Sequence, residues 1–85
     1  MKRYAAHYVK HPDYGYLKQQ VVEVDRGIAL RIYLLTEEVE DVEWYPGVIE
    51  LVLEESVGGL VPYLNYPFDF KAMQPVSGTQ RKQLQ

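Results

Sequence analysis

Cysteine is absent from this chain of 85 residues. Its absence excludes a disulfide, a thiolate nucleophile and a zinc site with cysteine ligands. Because small secreted domains commonly depend on disulfides, we expect the protein to be cytoplasmic. Long apolar runs are also absent: none approaches the ~20 residues of a membrane span, and none near the basic N-terminus suits a signal peptide.

An excess of positive charge is also absent, since the chain has 9 lysine and arginine residues, 12 acidic residues and a net charge of −3. A phosphate backbone is bound chiefly by clustered lysine and arginine side chains. We therefore expect no nucleic acid as a partner, and the lack of an apolar span argues against a membrane.

Residues suited to catalysis or metal binding are few. His7 and His11 would share one face of a continuous strand, but Pro12 and Asp13 predict that the strand has ended by His11. No serine has a G-x-S-x-G context, no glycine-rich phosphate loop is present, and the acidic residues of segment 36–43 lack the spacing of a calcium loop. We expect no enzyme activity, no cofactor and no bound metal.

Alternating apolar residues, by contrast, are abundant. The run "VVEVDRGIALRIYLL", residues 21–35, has two halves joined by a short Asp/Gly segment, which predicts a hairpin. Val22 and Val24 share one face of its first strand. In the second strand, the residues predicted to face the core are Ile28, Leu30, Ile32 and Leu34. Arg31 is predicted to point away from the core.

Three further segments are predicted as strands. "VIELVLEE", residues 48–55, alternates with Ile49, Leu51 and Leu53 inward, and the preceding Pro-Gly favours a strand over a helix. Segments 4–9 and 16–24 have the β-branched and aromatic residues of strands, and 42–45 suits a short edge strand. The chain is thus predicted to be all-β, a meander of about five strands that forms a roll or sandwich.

The C-terminal third is predicted to differ from this β-domain, which occupies residues 1–59. Residues 60–73 are rich in aromatics, but Pro62 and Pro67 are taken to exclude a central strand or a regular helix, so we expect an extended arm. The arm would pack on its own sheet or on a partner, and its candidate interaction residues are Tyr63, Tyr66, Phe68 and Phe70. Residues 74–85 are polar and basic and are predicted to be a flexible tail.

The hairpin and the "PGVIE" segment together resemble the N-terminal small β-domain of amidohydrolase-superfamily enzymes. The residues that carry the resemblance are Val22, Val24, Gly27, Ile28 and Ile32 in the hairpin, then Pro46, Gly47, Val48, Ile49 and Glu50. In that family the Pro-Gly segment leads into a barrel strand with two metal-binding histidines. Val52 and Glu54 occupy those positions here, and no barrel follows, so the resemblance implies a β-domain without the metal site.

These observations favour a non-catalytic module for protein interaction or self-assembly, with a homodimer or another protein chain as partner. Two alternatives stay open. One is a small-ligand-binding domain with an apolar pocket lined by tyrosines. The other is an accessory subunit of a separate metallohydrolase.

Overall fold

The computed structural model describes all 85 residues and confirms an all-β protein. None of its elements is a helix with the length and apolar character needed to cross a bilayer. Nine strands are present, rather than about five: β1 (Lys2–Ala5), β2 (Tyr8–His11), β3 (Gly15–Lys18), β4 (Gln20–Asp25), β5 (Ile28–Leu34), β6 (Val42–Trp44), β7 (Val48–Glu54), β8 (Gly59–Asp69) and β9 (Gln74–Gln83).

Two of the four additional strands arise where the chain bends within runs that were predicted as single strands, and the other two are β8 and β9. Segment 16–24 divides into β3 and β4 at Gln19, whose φ is 55°. Segment 4–9 divides at Ala6 and His7, between β1 and β2. Segment 42–45 is an edge strand as predicted, although it is limited to β6.

The strands form one sheet in the order β3-β2-β7-β8-β5-β4-β1-β6, with β9 paired to β8. It is not a simple meander, because β1 pairs with β6 and β2 pairs with β7 in parallel. These two parallel pairs lie at separated positions in the strand order, yet short bends join β1 to β2 and β6 to β7. The sheet therefore rolls up.

The bend between β6 and β7 requires glycine. Gly47 has a φ of 118°, and a Cβ added there would collide with the backbone carbonyl of Asn65. Pro46 and Gly47 thus turn the chain sharply, as predicted, but β7 then pairs with β2 and β8 of the same sheet.

The core lies inside the roll. Its buried cluster joins residues of β1, β2, β4 and β7, which a flat sheet with this strand order would keep apart. Ile32 is partly buried and packs against this cluster. The inward positions predicted on β4 and β7 are confirmed for Val22, Val24, Ile49 and Leu51.

The inward predictions for Leu30, Leu34 and Leu53 are wrong, because these side chains are 51%, 56% and 62% exposed. On β5 the pairing with β4 is interrupted by a bulge. Glu23 lies opposite Arg31 and Val24 opposite Ala29, which leaves Leu30 as an extra residue.

The predicted arm, residues 60–73, is wrong in its first part, since β8 is a long strand inside the sheet. The prolines are tolerated because neither interrupts an intact ladder. Pro62 accepts a hydrogen bond from Leu84 N–H at 3.0 Å on the side where its own donor is missing, at the end of the β8–β9 ladder. Pro67 lies where the β8–β9 register shifts.

The predicted flexible tail, residues 74–85, is also wrong. Most of it is β9, whose side chains are largely exposed, which explains the polar composition. Leu84 is buried in the core cluster, and the hydroxyl of Tyr4 donates a hydrogen bond to the Gln85 carbonyl at 2.7 Å. The last residues therefore close the roll.

Candidate functional site

The outer edge of β5 has almost no partner. On one side β5 pairs with β4 along its length. On the other side it pairs with β8 only between Ala29 and Leu60. From Leu30 to Leu34, therefore, this edge presents backbone groups without a neighbouring strand.

The edge opens because the β7–β8 hairpin ends beside it. The last pair of that hairpin is Glu54 with Gly59, and residues 55–58 form its turn. Extending the antiparallel register from Ala29 and Leu60 sets the rest of β5 against this turn, which offers no strand to pair with. The seam between β5 and β8 therefore separates beyond Ala29.

A cavity of about 170 Å³ lies at this seam. Pockets that hold small-molecule ligands usually measure ≈ 300–1,000 Å³, whereas a cavity of about 150 Å³ holds one benzene-sized group. The cavity therefore fits a single apolar side chain. Its lining contains no tyrosine and consists of His11, Ala29, Leu30, Arg31, Ile32, Leu51 and Leu60.

Exposed apolar side chains are found on the elements that flank the seam. Leu30 and Leu34 belong to β5, Leu53 to β7, and Val57, which is 51% exposed, to the hairpin turn. Scattered apolar side chains are common on protein surfaces, but here they accompany an unpaired backbone and a cavity. The three features together define the β5 edge site, which consists of residues 30–34 and the adjoining cavity.

The opposite face of β5 is held by a buried carboxylate. Glu23 is only 2% exposed and lies directly across from Arg3 on β1 and Arg31 on β5. Arg31 Nε and Arg3 Nε donate to it at 2.8 and 3.1 Å, and the hydroxyl of Tyr33 donates at 2.8 Å. Three strands are thereby joined through one side chain.

Hydrogen bonds from Arg31, Tyr33 and Arg3 lower the pKa of Glu23 to about 2. Because all three donors stabilise the ionised carboxylate, Glu23 remains charged across the neutral range. The same carboxylate forms an ion pair with Arg31 and a hydrogen bond with Tyr33, so it holds the two polar side chains of residues 30–34.

The predicted interaction residues do not form one surface. Phe68 and Phe70 lie 5.5 Å apart, and Phe70 contacts Tyr8 and His7 with ring centroids 5.7 and 4.7 Å away. The ring centre of Tyr63 lies 3.9 Å from the guanidinium carbon of Arg81.

Tyr66 is half exposed. Of the two expected roles, packing on the protein's own sheet thus applies to Phe68 and Phe70.

The two histidines have different surroundings. His7 Nδ1 accepts a hydrogen bond from Gly47 N–H at 3.1 Å, and its ring meets Trp44 at 4.9 Å. His11 Nδ1 accepts one from Asp13 N–H at 3.0 Å. The structure contains no group of three or more histidine, aspartate or glutamate side chains placed to share a metal ion.

Comparison with protein-family models, with curated proteins and with solved structures finds no match to this chain. What the β5 edge site can bind is therefore inferred from its geometry alone. Sequence reasoning missed the β5 edge, since alternation marks a strand but does not show how many partners it has. The sequence signal for an exposed apolar residue here is the adjacent pair Leu34 and Leu35, because a two-residue period allows only one of them to face the core.

Proposed function

We propose that this protein is a non-catalytic β module for protein interaction or self-assembly. The observation that carries the proposal is the β5 edge site, where an unpaired apolar strand edge adjoins a cavity the size of one side chain. Strand addition to an open sheet edge is a general mode of protein recognition: main-chain hydrogen bonds supply affinity and pockets supply specificity.

The other edges of the sheet are protected. β6 has three residues, and β3 has four with Lys18 at its end. β9 is longer but carries Pro75, Arg81 and Lys82. Short length, proline and charge are the usual means by which proteins discourage edge pairing. Residues 30–34 of β5 contain no proline, and their one charged side chain, Arg31, is paired with Glu23.

A non-catalytic role agrees with the polar groups present. The most buried carboxylate, Glu23, accepts hydrogen bonds from three side chains and has no free oxygen directed into the cavity. Catalysis by proton transfer needs a group whose pKa lies near the working pH, and the pKa of Glu23 lies far below it. A cytoplasmic protein chain is the partner class that suits a cysteine-free module with a net charge of −3.

Site-specific cross-linking tests this function. A photoreactive phenylalanine analogue is placed at position 34, in the β5 edge site, and in a matched variant at the exposed Val76 of β9, outside it. In cells that produce the protein naturally, we expect irradiation to give a discrete adduct from position 34 and none from position 76. Equal labelling at the two positions, or no adduct from position 34, would contradict the proposal.

A further inference from the structure

We propose that the β5 edge is occupied by the β5 edge of a second copy of the chain, antiparallel to it, with the twofold axis at Ile32. This inference rests on the proposed function and names the partner of the same site. It follows from the direction of the backbone groups, from the order of the side chains and from the position of the cavity.

The backbone N–H and C=O groups of β5 point alternately toward β4 and away from it. Leu35 N–H donates to the Gln19 carbonyl at 2.6 Å, which continues the β4–β5 register and marks this opposed pair as hydrogen-bonded. Hydrogen-bonded pairs recur at every second residue of an antiparallel ladder, so Tyr33 also points its backbone groups at β4. Ile32 and Leu34 therefore point theirs away from β4, where a second strand would find them.

The side chains of this segment are ordered symmetrically about Ile32. In an antiparallel pair centred there, Ile32 lies opposite Ile32 of the second copy, and Leu30 lies opposite its Leu34. Arg31 lies opposite Tyr33, a pairing of guanidinium and aromatic ring that the chain already makes within itself at 5.2 Å. The Ile32 contact lies on the twofold axis and occurs once, and each of the other contacts occurs twice.

Neighbouring registers are less favourable. A pair centred on Arg31 sets two like charges directly opposite each other, which destabilises a ladder. A pair centred on Tyr33 sets Leu30 against Thr36 and leaves a leucine without an apolar partner. Only the Ile32-centred register matches leucine with leucine on both sides of the axis.

The cavity agrees with the same register. Leu30 and Ile32 belong to its lining, so the Leu34 side chain of the second copy arrives at its opening. A cavity of about 170 Å³ is close in size to the ~150 Å³ that accommodates one benzene-sized group. Each copy thus places its Leu34 side chain at the cavity of the other copy, and the exposed Leu30 and Leu34 of both copies become covered.

Light scattering of the full chain over a range of concentrations tests this pairing. We expect the wild-type mass to approach twice the 9.9 kDa of one chain. Leu30→Lys combined with Leu34→Lys opposes lysine to lysine at both ends and should give the mass of one chain. Leu30→Lys combined with Leu34→Glu opposes lysine to glutamate in this register and should restore the doubled mass.

Two controls accompany these variants. Val76→Lys changes an exposed apolar residue on the β9 edge and should keep the doubled mass. Amide exchange of the wild-type protein needs no variant, and the amides of Ile32 and Leu34 should become protected as the concentration rises. This second measurement decides the question if the double-lysine variant fails to fold by circular dichroism.

A wild-type mass of one chain at every concentration overturns the self-pairing, as does a doubled mass that survives both lysine substitutions. Failure of the lysine–glutamate combination to restore the doubled mass overturns the Ile32-centred register. A single-chain mass together with an edge-specific cross-link to a different protein removes only the self-pairing. The absence of any edge-specific adduct removes the proposed function as well.

Discussion

The two halves of the rolled sheet differ in how completely their strands are paired and their apolar side chains buried. Where β1, β2, β4 and β7 meet, Val9, Val22 and Ile49 are completely buried and every strand has its neighbours. Where β5 meets β8, a single residue pair joins the strands, and Leu30 and Leu34 remain exposed. The first half accounts for the stability of a small domain, whereas the second leaves backbone and apolar surface for another chain.

The difference has a local cause. β7 and β8 pair over seven residues and then turn back, while β5 continues past the turn. Arg31 lies directly opposite Glu23 in the regular register with β4, next to the bulge that leaves Leu30 as an extra residue. β5 is therefore closed on the side of β4 and open on the side of β8.

The largest expected effect distinguishes a buried from an exposed position on one strand, β7. Ile49 and Leu53 both belong to β7, but only Ile49 is buried. Ile49→Ala should lower the free energy of unfolding by about 2–5 kcal/mol, because it removes packed methyl groups and leaves a cavity. Leu53→Ala should change it by less than about 0.5 kcal/mol. Urea denaturation measures both, and similar losses from the two variants would contradict the contrast between the halves.

The second effect concerns the C-terminus, which completes the closed half. Leu84→Ala should lower the free energy of unfolding toward the lower end of the range of about 2–5 kcal/mol, since a site near the chain end can partly collapse. Lys82→Ala, which changes an exposed residue of β9, is the matched control and should be close to wild type. If thermal unfolding shows no difference between these two variants, the last residues do not close the roll.

Local patterns were sufficient for part of the fold and insufficient for the rest. The period of two correctly placed Val22, Val24, Ile49 and Leu51 in the core, because residues two apart share one face of a strand. It did not show that Val21, Glu23 and Val48, at the intervening positions, are buried as well. It failed at Leu30, where a bulge depends on the partner strand.

The C-terminal region failed for a different reason. Pro62 looked incompatible with a central strand, but its missing donor lies at the end of the β8–β9 ladder. β9 looked unstructured because an exposed edge strand needs few apolar residues, and only Leu84 reaches the core. For the open edge of β5 the sequence offers only the adjacent Leu34 and Leu35 as a signal, because the number of partners of a strand is a tertiary property.

A smaller effect is expected from the carboxylate that holds the outer face of β5. The pKa of Glu23 is lowered from 4.5 to about 2, so its contribution to stability is fully present above about pH 4.5 and is lost as the pH falls toward about 2. Glu23→Gln should lower the Tm at neutral pH and reduce the loss of Tm on acidification. Glu55→Gln, at an exposed position, should leave both unchanged. An acid dependence of Glu23→Gln equal to that of the wild type would show that another group is responsible.

The smallest effect is expected at Arg31, which was predicted to point away from the core. The structure shows that it donates to Glu23 at 2.8 Å, although its side chain is 68% exposed. Arg31→Ala should therefore reduce the Tm measurably, but less than Glu23→Gln, because Arg3 and Tyr33 still donate to the carboxylate. The exposed pair also has a share of its interaction screened by water and salt.

Arg31→Lys keeps the charge but lacks the planar group that reaches Glu23 Oε1 through Nε, and it should fall between Arg31→Ala and the wild type. Thermal melts at low and high salt distinguish the causes. A deficit of Arg31→Ala that shrinks at high salt reports the ion pair with Glu23. A deficit independent of salt would mean instead that the arginine stem packs over Tyr33, whose ring centre lies 5.2 Å from the guanidinium carbon. In that case the closed face of β5 is held by packing as much as by charge, and Arg31→Lys, which keeps most of the stem, should behave like the wild type.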